Sequence, residues 1–189
     1  MSDDGGMGAG MLRMFRENAA QHFVVSRATW GICVDNRYST PVLCFAVETE
    51  EQESAFPDED GWPHQPAWHL DVWARGLNAA LPQAGCEFRI LDPFDDFTGV
   101  IFTSFYYDEH EGTTENVIRV IQREDELLDV SIEGHIRHNF ASMPPTRITV
   151  DARFTRLSPH KTFDGIFNRG PLPPHDPPCG ATFTTEGGR

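Results

Sequence analysis

The chain has 189 residues, a formal charge of -14, and 39% hydrophobic against 23% charged residues. That length suits one domain able to bury roughly two-thirds of its unfolded surface, with 14 Phe and 4 Trp to fill an aromatic core. A field this negative repels phosphate backbones and anionic headgroups, so neither nucleic acid nor a membrane surface is an expected partner, and no apolar run approaches the roughly 18 residues of a membrane helix.

Residues 1–10 are Gly-rich and acidic and lack the basic and apolar regions of a secretory signal, which reads as a flexible N-terminus on a cytoplasmic protein. Met11, Met14, Phe15 and Ala19 then recur at the spacing of one helical face and predict a short amphipathic helix. The apolar runs Thr29 to Val34 and Val42 to Val47 flank turn formers and predict a hairpin. Both carry a cysteine, Cys33 and Cys44, which reads as a small core hydrophobe and allows a bridge between neighbouring strands in an oxidising compartment.

Glu48 to His64 reads as a solvated acidic loop containing Trp62. From Pro66 onward Leu70, Trp73, Leu77 and Leu81 predict a second helix, stopped at Gly85, with Asp71 favoured at its positive end. Strands are expected over Cys86 to Leu91, Val100 to Tyr107 and Val117 to Arg123, with Asp92 to Asp96 as a turn of solvated acids. Two more show clean alternation: Leu128, Val130, Ile132, Gly134 and Ile136 on one, and Ile148, Val150, Ala152 and Phe154 on the other.

The expected fold is therefore α+β, a mainly antiparallel sheet of about six to eight strands covered by two helices, forming a single domain over 11–157. Residues 158–189 are Pro- and Gly-rich and predict an irregular tail, in which Phe163, Phe167 and Phe183 supply apolar groups for docking.

Nucleotide loops, a nucleophile elbow, HExxH and EF-hand spacings are all missing, and no cofactor is expected. His135 and Asp151, on the polar faces of two strands, are the candidate catalytic pair; a ladder of polar cross-strand pairs explains the same residues. His64 and His69, among carboxylates, are the metal-ligand candidates, although their spacing matches no known ligand pattern and no metal is expected. Glu50, Glu51, Asp58, Asp60 and Trp62 are the candidate partner-binding residues, since acids beside an exposed indole suit a basic protein surface. Three functions follow. The first is a non-catalytic acidic module that binds a basic protein, by the logic of an inhibitor or immunity protein. The others are an enzyme or small-ligand protein with a His/carboxylate pocket, and a structural subunit that self-associates through its tail.

Overall fold

The computed structural model describes residues 10–16, 19–35, 40–56, 63–73, 82–138, 146–157 and 181–185. None of them is helical, and over the described residues the fold is all-β rather than the expected α+β. The strands are β1 (Gly10–Arg16), β2 (Ala19–Asp35), β3 (Thr40–Thr49), β4 (Gln52–Glu53), β5 (Pro63–His64), β6 (Ala67–Val72), β7 (Cys86–Ile90), β8 (Thr103–Tyr106), β9 (His110–Glu124), β10 (Leu127–Arg137), β11 (Thr146–Arg156) and β12 (Ala181–Thr185).

Both expected helices are strands where they are described. In β1, Leu12 and Met14 point into the core while Met11, Arg13 and Phe15 face outward, a period of two that wins over the helical spacing of Met11, Met14 and Phe15. In β6, Trp68, Leu70 and Val72 take the inner face, so the Leu70 to Trp73 spacing that suggests a helix belongs to a strand and the residue after it. Leu77 and Leu81 lie outside the described residues. The tail expected to be irregular contributes β12, which pairs antiparallel with β7.

Strands β1, β2, β3, β6, β8, β9, β10 and β11 each pair antiparallel with the next in chain order, and β11 returns to β1, so the sheet closes on itself. Closure removes the free edges that an open sheet of this size would have to protect. The long β9 also carries β7, and through it β12, beside the part that runs past β8. Two irregularities in the β9–β10 register bend this pair. At one of them Glu115 adopts a φ of 53° and leaves Glu115 and Asn116 facing Gly134.

The interior is lined with large apolar side chains. Trp30, Phe45, Trp68, Phe105 and Phe154 are fully buried, and Phe45 on β3 meets Phe154 on β11 edge-on at 5.7 Å across the core. The β9–β10 turn accepts a hydrogen bond from Trp30 Nε1 at Glu126 O (2.9 Å), which ties it to β2. The β4–β5 hairpin closes over another part of the core, with His64 stacked on Tyr107 at 4.3 Å, Phe56 buried, and Gln21 donating to Glu53 O at 3.0 Å.

The outer face of β10, β11 and β1 is a charge ladder. Arg153 grips Asp129 with two hydrogen bonds (2.8 and 3.0 Å), Arg147 reaches Glu133 at 2.8 Å, and Arg13 reaches Asp151 at 2.7 Å. The hydrogen bonds from Arg153 hold the Asp129 carboxyl below its usual range. A depressed folded pKa contributes stability above the unfolded value and loses it as pH falls through the folded one. Wild type is therefore expected to melt above Asp129→Asn at neutral pH, with the gap closing as pH drops below about 4. A gap that stays constant from neutral to acid pH in thermal melts would contradict this assignment.

Candidate functional site

The segment between β7 and β8 forms a stapled tip. Phe94 and Ile101 pair as an antiparallel bridge, Asp95 N donates to Val100 O (2.8 Å), and Gly99 N donates to Asp95 O (2.8 Å). Asp95 Oδ1 accepts from the backbone of Phe97 (2.8 Å) and Thr98 (3.0 Å), the side chain of a turn-forming aspartate fixing the loop around it. Gly99 has a φ of 66°, which its missing Cβ permits. At the base, Pro93 O accepts from Phe102 and Thr103, Leu91 O accepts from Glu115 N, and Pro93 packs so closely on β9 that a Cβ at Gly112 would come within 2.5 Å of it.

What this frame displays is apolar. Phe97 is 85% exposed, and Leu91, Phe94 and Ile101 are all exposed beside it in sequence, interleaved with Asp92, Asp95 and Asp96. A large, exposed aromatic on a fixed backbone has already lost the chain entropy that binding would otherwise cost. The turn residues are legible in the sequence; the exposure of Phe97 is not, because a phenylalanine four residues from Ile101 reads equally well as core.

Among the residues expected to bind a partner, Glu50 and Glu51 are exposed just past the end of β3, while Asp58, Asp60 and Trp62 lie outside the described residues. Trp68 and Trp73 are buried, as core residues should be.

His135 and Asp151 are not brought together. Asp151 faces Ser131 across the β10–β11 ladder, four residues from His135 and so about 13 Å along the strand. Asp151 is paired with Arg13, and the carboxylate facing His135 Nδ1 is Glu115, at 3.4 Å. His138 instead lies between Glu111 Oε1 (3.0 Å) and Thr146 Oγ1 (2.8 Å), tying the ends of three strands together.

His64 and His69 serve different places. The inward residues here are His64, Trp68 and Leu70, and His64 Nδ1 meets Asp108 at 2.8 Å. His69 is on the outer face, where Nε2 meets the buried carboxylate of Asp71 at 2.9 Å. Burial by itself lowers the pKa of His69, but the hydrogen bond and charge of Asp71 outweigh it and raise the net value. Asp71 sits opposite Cys44 on β3, and Cys44 Sγ lies 3.3 Å from Cys33 Sγ on β2. Two thiols, an imidazole and a carboxylate thus share the outer face of β2, β3 and β6. No group of three or more such side chains among the described residues is arranged to hold a metal ion.

No helix among the described residues is long and apolar enough to cross a membrane. The chain matches no protein-family model, and comparison with curated proteins and with solved structures found no similar protein.

Proposed function

We propose that this protein is a non-catalytic binding module whose 91–101 tip docks a basic protein. The observation that carries this reading is Phe97, 85% exposed on a loop whose backbone is fixed by the Asp95 carboxylate. Binding energy at protein interfaces concentrates in a few aromatic anchors, surrounded by groups that exclude water and set charge. Phe97 and Phe94 are the anchors here. Asp92 and Asp96 are the charges, on a chain of -14 whose field accelerates encounter with a cationic surface. The separation of His135 from Asp151 leaves a reading based on that pair without its geometry.

The test is capture from native lysate by wild type and by Phe97→Ser, at low and moderate salt, with the retained proteins identified by mass spectrometry. A basic protein held by wild type, released by salt and lost from Phe97→Ser is the expected result. Identical retention by both proteins removes the tip from the reading.

A further inference from the structure

We propose that Cys33 and Cys44 form a reversible redox site, in which a hydroperoxide converts the two thiols into an intrachain disulfide. Contact comes first: the sulfurs are 3.3 Å apart, and both residues are thiols rather than a formed bridge. Access differs between them, since Cys33 is exposed and Cys44 half-buried. On the same outer face Gly31 lies directly opposite Cys44, while Val42, opposite Cys33, and Asp71, opposite Cys44 on β6, are buried.

The two sulfurs have different parts. Cys33, open to solvent, meets the oxidant. Cys44 is kept as a thiol, its pKa raised by its hydrogen bond to Cys33, by burial and by the charge of Asp71. The Cys33 thiolate attacks the distal peroxide oxygen, the O–O bond breaks, and the departing oxygen leaves as water or alcohol with the Cys33 proton. Cys33 is then a sulfenic acid. The Cys44 sulfur attacks it and the S–O bond breaks. The expelled hydroxide leaves as water with the Cys44 proton, which the neighbouring Asp71 carboxylate is placed to accept and pass on. Two thiols lose two electrons and two protons, and the peroxide takes up both.

Register explains why this bridge is reversible. Cys33 faces Val42 and Cys44 faces Gly31, so the pair lies on a diagonal of the ladder. Diagonal neighbours sit about 7–8 Å apart at Cα, beyond the roughly 4.4–6.8 Å usual for a disulfide. Closing the bond therefore pinches β2 against β3, and exposed bridges under such tension are the readily reduced ones.

The experiment treats the reduced full chain with hydrogen peroxide, blocks remaining thiols with N-ethylmaleimide, and maps the peptides by mass spectrometry. The expected product has lost two hydrogens, links the Cys33 and Cys44 peptides, leaves Cys86 and Cys179 alkylated, and returns to the starting mass with dithiothreitol. In Cys44→Ser the linked peptide disappears and Cys33 is trapped by dimedone as sulfenic acid. The proposal is overturned if peroxide leaves Cys33 and Cys44 as alkylatable as in untreated protein, or if Cys33 is found linked to Cys179 or to a second chain. The wild-type mapping decides even if Cys44→Ser fails to fold.

Discussion

Replacing Trp68 with alanine is expected to lower the unfolding free energy by about 3–5 kcal/mol, the cost of emptying a large aromatic site in a core that cannot fully collapse. Trp68 is 1% exposed, packs edge-on against Phe105 at 6.2 Å, and donates Nε1 to Thr113 Oγ1 at 3.2 Å. It projects from β6 toward β9 and β10, the pair whose contact completes the ring. Trp68→Phe keeps most of the apolar volume and forfeits mainly the hydrogen bond, so a loss of about 1–2 kcal/mol is expected. Urea unfolding checks both, with the midpoint moving and the slope unchanged. A loss under about 1 kcal/mol for Trp68→Ala would mean that this side chain does not fill the core as described.

The second large effect falls on a glycine. A Cβ at Gly134 would lie 2.4 Å from Asn116 Oδ1 and 3.0 Å from Trp68 Cζ2, so even alanine needs both neighbours to move. Asn116 cannot yield freely, because its Nδ2 is committed to Ile90 O (3.1 Å) and Thr113 O (2.9 Å). Its Oδ1 accepts no hydrogen bond among the described residues. Gly134→Ala is therefore expected to cost about 1–3 kcal/mol through overpacking at the bulge. The penalty should shrink in an Asn116→Ser background, where the shorter side chain clears the clash. A double-mutant cycle reads that coupling directly, and additive costs would show that the clash is not the cause.

Much of the sheet is legible in the sequence, and for one reason. β10 and β11 alternate strictly between apolar and polar residues, and the β2–β3 hairpin is punctuated by turn formers. β1 is misread because Met14 and Phe15 are adjacent apolar residues on opposite faces, one buried and one packed under Arg147 at 5.0 Å. With Met11 and Ala19 they imitate a helical stripe. β6 is misread because Leu70 and Trp73 fall three apart, where a strand and the residue following it happen to match a helical step. Ring closure by the β11–β1 and β9–β10 pairs depends on contacts far apart in sequence, which no local pattern encodes.

The same error hides part of the chemistry. Residues two apart lie on opposite sides of a helix but on one face of a strand. With 67–72 taken as helical, His69 and Asp71 do not fall on one face, whereas the Cys33–Cys44 pairing follows from the predicted hairpin itself. The tip is hidden differently: aspartates and glycine announce a turn, but only the backbone hydrogen bonds show that it is fixed and that Phe97 is left outside it.

Docking by the 91–101 tip is tested most directly by titrating the captured basic partner against purified wild type, Phe97→Ser and Asp92→Asn/Asp96→Asn across a range of salt. Loss of an aromatic anchor is worth at least about 2 kcal/mol, so Phe97→Ser should weaken binding by about 30-fold or more while keeping the salt dependence. The double Asp variant should slow association and flatten the salt dependence instead. Equal affinity for wild type and Phe97→Ser would contradict docking by the tip.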